Sequence, residues 1–339
     1  MQRTAWARAI LRLVIGVSTL LVIAALLLGL AGRSGAPRPA AAAAVARDGL
    51  SPGVPARPAL DPPPAAPAVV IPIPAAADPS AAAPPPPPAP SPAQDLAFDD
   101  YFIHVPPGVA DPAPVLVALH GMGGDGRGMC DGVRAWADRE GWVLVGPTFP
   151  YGDWTDPANV ANEGPRFLPR LAAILDEAPA KIGHAVQPRV VLYGFSRGAQ
   201  LAARFALLYP ERVRGVVVMS GGTYTLPLRE TTVGDATQPL PYPFGVADVA
   251  QRFGRDANLD ALRSVPFWIG VGAEDNDPTA VPTQWGPYIG ATRVERARRF
   301  AAVLRSLQVP AQETEFPGLG HDISMTEHDQ ALGWVQGLP

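Results

Sequence analysis

The sequence predicts an α/β fold in which helices cover both faces of a mostly parallel central sheet. Short apolar segments rich in β-branched residues alternate with stretches whose apolar residues recur at helical spacing. Several of the short segments are almost wholly apolar, as expected of parallel strands buried on both faces. We predict strands at residues 101–105, 115–119, 142–145, 189–193, 213–219, 266–271 and 312–316. We predict helices at residues 130–140, 167–177, 199–208 and 293–307.

This alternation begins after residue 94, so residues 95–339 are predicted to form the globular domain. Residues 223–264 interrupt it, because they contain several prolines and no clear strand. We interpret this segment as an insertion. In such a fold, ligands bind beyond the carboxyl ends of the strands, so the loops at those ends are the ones to examine for chemistry.

Residues 1–34 are predicted to form a membrane anchor or a signal segment. Residues 13–32 carry no charge and are long enough to span a bilayer as a helix. Arg3, Arg8 and Arg12 precede them, which favours a cytoplasmic N-terminus. A cleaved signal peptide is the alternative, with the alanines near Ala31 and Ala40 as a cleavage region. Either interpretation places the rest of the chain outside the cytoplasm, attached to the cell membrane or secreted.

Residues 35–94 are predicted to be a disordered, semi-rigid linker. Nineteen of the 42 prolines of the chain fall here, among runs of alanine. Proline donates no backbone hydrogen bond, and alanine buries too little surface to offset the entropy lost on ordering. Such a segment can hold a domain well clear of a membrane.

Charge and cysteine content exclude several classes of function. A formal net charge of -4 with 17% charged residues provides no basic field for nucleic acid. The arginines Arg293, Arg296, Arg298 and Arg299 are interpreted as one solvated helix face. Cys130 is the only cysteine, which rules out an intrachain disulfide and a thiolate metal cluster, and it is predicted to be a small buried apolar residue.

Ser196 is the predicted nucleophile. It is the central residue of a Gly-Phe-Ser-Arg-Gly segment that follows one predicted strand and precedes a predicted helix. A nucleophilic serine in this context sits on a tight, strained turn, and glycine two residues to either side lets the strand and the helix approach. An ordinary strand-to-helix turn is the alternative interpretation.

A serine hydroxyl needs a general base and a carboxylate that orients the base, following it in the order serine, acid, histidine. Of the five histidines, His321 and His328 follow Ser196. His321 lies in a glycine-rich loop after the last predicted strand, whereas His328 is expected on the next helix, facing solvent. We therefore predict His321 as the base, with His328 as the alternative.

The predicted acid follows the strand at residues 266–271. Asp275 is our first choice, and Asp277 and then Glu274 are the alternatives, since spacing alone does not settle the geometry of the loop. An oxyanion hole requires two N–H donors. Arg197 N–H is one by position, and Met122 N–H is the predicted second, in the segment His-Gly-Met-Gly-Gly after the strand at 115–119. That segment lacks the Lys-Ser/Thr ending of a phosphate-binding loop.

Taken in this order, the four motifs resemble the α/β-hydrolase superfamily over residues 95–339. The segments at 120–124, 194–198 and 272–275 resemble most the polyhydroxybutyrate depolymerase-like, feruloyl esterase-like and dienelactone hydrolase-like esterases. The resemblance implies hydrolysis of small-molecule or polymeric carboxylic esters through an acyl-enzyme, without metal or cofactor. The insertion at 223–264 has no counterpart in that pattern and leaves the substrate class open.

Aromatic residues in the loops expected around this site predict a preference for apolar or aromatic substrate groups. We predict substrate contacts from Tyr151, Trp154, Trp285 and Tyr288, with Phe149, Tyr242 and Phe244 nearby. Packing that pins long loops is the alternative role for each of them. Two other functions stay open: an amidase or peptidase that uses the same triad, and a noncatalytic binding module displayed at the cell surface.

Overall fold

The computed structural model describes residues 91–233 and 235–339. In this part of the chain, one sheet contains eight strands: β1 (Gln94–Ala97), β2 (Tyr101–Val105), β3 (Val115–Leu119), β4 (Val143–Pro147), β5 (Val190–Phe195), β6 (Val213–Met219), β9 (Phe267–Gly272) and β10 (Ala311–Phe316). Their order in the sheet is β1-β2-β4-β3-β5-β6-β9-β10. Strands β1 and β2 run antiparallel to their neighbours, and the other six are parallel to one another. Strands β7 (Glu230–Val233) and β8 (Ala236–Pro239) form a separate antiparallel hairpin.

Helices pack on both faces of the sheet. The helices are α1 (Gly126–Glu140), α2 (Pro157–Ile182), α3 (Arg197–Leu208), α4 (Val249–Phe253), α5 (Leu259–Leu262), α6 (Gly286–Ile289), α7 (Arg293–Ser306) and α8 (Met325–Gln336). Side chains alternate along β3: Val117 belongs to a core shared with α2, α3 and α7, whereas Leu116 belongs to a core shared with α1 and α8. The predicted fold class is confirmed.

Parallel pairing brings the ends of the central strands to one edge of the sheet. Leu119 of β3 pairs with Gly194 of β5, and Gly272 of β9 pairs with Phe316 of β10. The loops that follow these four strands carry the predicted oxyanion donor, nucleophile, acid and base. The topology therefore places the sequence motifs at a common edge.

Three parts of the fold differ from the sequence-based expectation. Strand β1 was not predicted, because it is an exposed edge strand with no apolar alternation. Helix α2 extends well beyond the predicted residues 167–177, since Pro165, Pro169 and Pro179 inside it hide its helical pattern. The segment at 223–264, expected to have no strand, contains the β7–β8 hairpin and two short helices; the β8 part of the hairpin is exposed and so gives no apolar signal.

The interpretation of the α7 arginines as one solvated face is wrong for two of them. Arg298 and Arg299 are exposed, but Arg293 is 9% exposed and Arg296 is completely buried. Both buried guanidinium groups bind the loops at the edge of the sheet that carries the motifs. The prediction for Cys130 is confirmed, since its side chain is fully buried against β4.

The predicted anchor and most of the predicted linker, residues 1–90, lie outside the described residues. Among the helices of the described part, none combines the length and the apolar character needed to cross a membrane.

Candidate active site

Ser196 lies on a sharp turn between β5 and α3. Its backbone has φ of 52°, a left-handed conformation that is uncommon for residues other than glycine and is typical of a nucleophile elbow. The two flanking glycines are sterically required. A Cβ atom at Gly194 would lie 2.5 Å from the backbone of Gly198, and one at Gly198 would lie 2.0 Å from the carbonyl oxygen of Leu119. The strand, the helix and β3 thus approach each other too closely for any side chain.

His321 connects Ser196 to Asp275. Its Nδ1 lies 2.7 Å from Asp275 Oδ2, and its Nε2 lies 3.1 Å from Ser196 Oγ. The carboxylate can only accept at neutral pH, so Nδ1 carries the proton and Nε2 is free to accept one from the serine hydroxyl. The ring of His321 also stacks on that of Phe195, which limits its rotation.

The alternative acids and the alternative base lie elsewhere. Asp277 accepts hydrogen bonds from the backbone N–H and the hydroxyl of Thr279, so it caps a short 3₁₀ turn. Glu274 is exposed to solvent. His328 does not face solvent as expected: its Nδ1 lies 2.5 Å from the hydroxyl of Tyr193, and burial lowers its pKa.

Asp275 has a second partner that the sequence did not reveal. Arg293 Nη1 donates to Asp275 Oδ1 at 2.9 Å, and Arg293 Nη2 donates to the carbonyl oxygen of Ala280 at 2.8 Å. Burial opposes ionisation of Asp275, but the hydrogen bond from His321 and the charge of Arg293 outweigh it, so the pKa of this carboxyl lies below its ordinary value. One carboxylate oxygen thus binds the imidazole while the other is held by a buried guanidinium.

The His120 loop borders Ser196. A Cβ atom at Gly121 would lie 3.5 Å from Ser196 Cβ and 3.1 Å from the ring of Phe195. His120 holds this loop: the backbone N–H of Phe149 donates to its Nε2 at 3.0 Å, so Nδ1 carries the proton and donates to the carbonyl oxygen of Gly121 at 2.7 Å. Burial lowers the pKa of His120, which favours this neutral form.

Arg197 opens helix α3, where its own N–H has no acceptor within the helix. Its side chain points away from solvent and forms a buried ion pair with Glu163 of α2. Glu163 also accepts a hydrogen bond from the backbone N–H of Gly152 at 3.0 Å. The pair therefore ties the nucleophile turn to α2 and to the loop that follows β4.

A cavity of about 440 Å³ opens at Ser196 and is mostly apolar. Trp154, Met122 and Phe195 line it, together with Ser196, Arg197, Gln200, Gly222, Ala280, Pro282, Arg293 and His321 among others. Met122 is 43% exposed, which is unusual for a large apolar side chain in this part of the chain. Of the four aromatic residues predicted to contact substrate, Trp154 alone lines this cavity.

The other three pack away from the cavity, contrary to expectation. Trp285 is fully buried and donates to the carbonyl oxygen of Tyr224 at 3.2 Å. Tyr288 packs on Phe244, and Tyr151 packs between His120 and Phe167. In these loops, the rings fill the core beneath the chain, which is the alternative that sequence reasoning left open.

Sequence reasoning also missed Glu163, Gln200 and Arg293. Glu163 and Arg293 lie on long helices far along the chain from the residues that they bind, so no local motif identifies them. Gln200 could have been found from the sequence, because it lies four residues after Ser196 and therefore on the same face of α3.

Comparison with known proteins agrees with this architecture. A model of the α/β-hydrolase fold family matches residues 114–338. The structure is similar to that of LpqC, a poly(3-hydroxybutyrate) depolymerase from Bordetella parapertussis, with a TM-score of 0.55 and 22% identity over 73% of this chain and 91% of that one. At this identity, the likeness concerns the fold.

Two relatives share sequence over shorter stretches. Poly(3-hydroxyalkanoate) depolymerase C of Paucimonas lemoignei is 27% identical over 140 residues, which are 36% of this chain and 31% of the relative. Feruloyl esterase B of Neurospora crassa is 29% identical over 126 residues, which are 35% of this chain and 43% of the relative. The chain thus spans less than half of either relative. Resemblance to these two groups of esterases is confirmed, and the chain belongs to the α/β-hydrolase fold family.

Proposed function

We propose that this protein is a serine hydrolase that cleaves carboxylic esters through an acyl-enzyme. The observation that carries the proposal is the hydrogen-bonded series Ser196–His321–Asp275, which borders a largely apolar cavity. The names of the relatives, a poly(3-hydroxyalkanoate) depolymerase and a feruloyl esterase, support a small or polymeric ester as the substrate.

In the acylation step, His321 Nε2 takes the proton of Ser196 Oγ as that oxygen bonds to the ester carbonyl carbon. The carbonyl oxygen becomes anionic, and the N–H groups of Met122 and Arg197 are its proposed donors. Asp275 stabilises the imidazolium that forms. His321 then gives its proton to the alcohol oxygen as the C–O bond breaks, leaving the acyl group on Ser196.

In the deacylation step, the same imidazole removes a proton from water, which attacks the acyl carbon. Ser196 Oγ leaves with the proton from His321, and the carboxylic acid is released. Every proton is thus transferred at a single atom, His321 Nε2. This requires the neutral imidazole with its proton on Nδ1, the form that the contact with Asp275 favours.

Covalent labelling provides the direct test. We expect a fluorophosphonate probe to label the protein, and Ser196→Ala to abolish both labelling and hydrolysis of p-nitrophenyl butyrate, with a loss of ~10⁶ in kcat. Ser264→Ala, at an exposed serine, is the matched control and should retain both. Labelling that persists in Ser196→Ala would contradict the mechanism.

A substrate panel separates the proposed activity from the alternatives. Short p-nitrophenyl esters, feruloyl esters and peptides are to be compared at the same enzyme concentration. Turnover of peptides without turnover of esters would indicate an amidase or peptidase, and the absence of labelling and of all turnover would indicate a noncatalytic module.

From sequence alone, we further propose that residues 1–34 attach the protein to a membrane and that residues 35–94 hold the hydrolase domain, residues 95–339, outside the cytoplasm. The test compares the full chain with a variant that lacks residues 1–93. We expect the full chain in the membrane fraction and the shortened chain in the soluble fraction with the same kcat/KM. Aggregation of the shortened chain would refute the domain boundary, and a mature N-terminus near residue 40 would indicate a cleaved signal.

A further inference from the structure

The side-chain amide of Gln200 has a determined orientation at the cavity wall. Arg204 can only donate, and its Nη2 donates to the hydroxyl oxygen of Thr223 at 2.8 Å. The Thr223 hydroxyl directs its own proton to Gln200 Oε1, and Arg197 Nη1, which can only donate, lies 3.5 Å from the same oxygen. The amide oxygen is thus engaged on the inner side. Its NH₂ group has no acceptor among the described residues and borders the cavity.

A second donor lies next to it. Arg293 is nine-tenths buried, and its Nη atoms are bound to Asp275 and Ala280, but its Nε has no partner among the described residues. Both donors face Gly222, which lines the cavity. A Cβ atom at Gly222 would lie 3.2 Å from Gln200 Nε2 and 3.6 Å from Arg293 Nε. Because residue 222 is a glycine, the space beside its Cα and next to both N–H groups is free of side-chain atoms.

The charges around this space are unbalanced. Arg197 and Arg293 are paired with Glu163 and Asp275. A third buried guanidinium, Arg204, donates to threonine hydroxyls.

Arg296, the fourth, donates only to carbonyl oxygens, including those of Gly222 and Pro282 in the cavity wall. In the described part of the chain, neither Arg204 nor Arg296 has a carboxylate partner. Burial lowers the pKa of Arg296 to about 10, so it stays charged at neutral pH. Among the described residues, two of the four buried guanidinium groups around the cavity wall therefore have no carboxylate that balances their charge.

We propose that Gln200 Nε2, beside the buried guanidinium of Arg293, forms a subsite that binds a carboxylate carried by the ester substrate, in addition to the ester group at Ser196. The inference rests on the proposed ester hydrolysis and specifies the substrate as an ester with a free acid group. An anionic acceptor pairs with the amide N–H of Gln200 and is attracted by the buried guanidinium groups that have no carboxylate partner in the described part of the chain, whereas a purely apolar acyl chain would leave the amide N–H unpaired.

The test compares p-nitrophenyl monoesters of dicarboxylic acids, from glutarate to suberate, with unsubstituted acyl esters of equal length and with the corresponding methyl p-nitrophenyl diesters. For the best-fitting length, we expect the wild-type protein to prefer the free acid over the unsubstituted ester by about tenfold to a hundredfold in kcat/KM, the range of charge-assisted hydrogen bonds. The neutral diesters should show a smaller preference.

Gln200→Glu is the decisive variant because it keeps the inner oxygen and replaces the donor with a negatively charged acceptor. We expect the preference for the free acid to fall at least about tenfold in this variant and in Gly222→Ala, which fills the space. Gln312→Glu adds the same charge at an exposed position at the start of β10 and should retain the wild-type preference. Thermal unfolding of each variant shows that it is folded.

The subsite is refuted if the wild-type protein cleaves simple esters but prefers no free acid at any length, if the neutral diesters are preferred equally, or if Gln200→Glu keeps the wild-type ratio. If the wild-type protein cleaves no ester of the series, the proposed function fails, and the subsite fails with it.

Discussion

Replacing Glu327 with glutamine should remove a pH-dependent loss of stability. Glu327 lies in the first turn of α8 with its side chain completely buried, and neither carboxyl oxygen has a hydrogen-bond partner among the described residues. Its Oε1 lies against β9, at 2.4 Å from where a Cβ atom of Gly270 would be. Burial raises the pKa of Glu327 to about 7, and the charges of Asp322 and Asp275 add to this effect.

The magnitude follows from the two pKa values. The ordinary value is 4.5, and each pH unit between it and about 7 corresponds to ~1.4 kcal/mol, or about 3 kcal/mol in all. Below the lower value, the carboxyl is protonated in both the folded and the unfolded chain, and stability is unaffected. Between the two values, the folded chain binds more protons, so the free energy of unfolding falls as the pH rises.

Urea unfolding of the wild-type protein and of Glu327→Gln, at a series of pH values from ~5 to ~8, measures the effect. The amide has its own cost of burial, but this cost does not depend on pH. The informative quantity is therefore the difference in free energy of unfolding between the two proteins, and how that difference changes with pH. We expect that difference to shift by about 2 to 3 kcal/mol in favour of glutamine toward high pH.

The matched control is Glu230→Gln, at an exposed carboxylate of β7, for which the difference should stay within ~0.5 kcal/mol at all pH values. If the difference in free energy of unfolding between Glu327→Gln and the wild-type protein is also constant with pH, the buried carboxyl does not destabilise the fold on ionisation. This result would mean that the carboxylate binds water or another hydrogen-bond donor when it is ionised.

Asp275→Asn should lower kcat by up to ~10⁴ because the amide favours the wrong imidazole tautomer. Asp277→Asn, measured on the same ester, should lower kcat less than tenfold, which corresponds to ~1.4 kcal/mol. A larger loss in Asp277→Asn than in Asp275→Asn would identify Asp277 as the acid. Arg293→Gln should lower kcat on the same ester, because the charge of Arg293 helps to keep the pKa of Asp275 low. Arg293→Lys keeps that charge and should retain more of the activity; equal losses in both variants would indicate a structural role only. His328→Ala should lower the free energy of unfolding by about 1 to 2 kcal/mol, because the hydrogen bond between His328 and Tyr193 is lost. We expect kcat to be retained in this variant. A large loss of kcat would contradict the assignment of His321 as the base.

The fold class and the positions of the motifs along the chain could be predicted without the structure. Apolar strands, helical spacing and glycines such as Gly194 and Gly198 act locally, so their pattern is visible in the sequence. Ser196, His321 and the acidic loop could be found because each directly follows a predicted strand, and parallel strands end at one edge.

Which side chains meet at this edge depends on how the loops fold in three dimensions. The difference between Asp275 and Asp277 is one of loop geometry: one reaches His321, and the other caps a turn. Arg293 and Arg296 have the sequence pattern of a solvated face, yet they are buried because the loops that α7 packs against offer them carbonyl and carboxylate oxygens. Such partners are distant along the chain, and a local pattern carries no information about them.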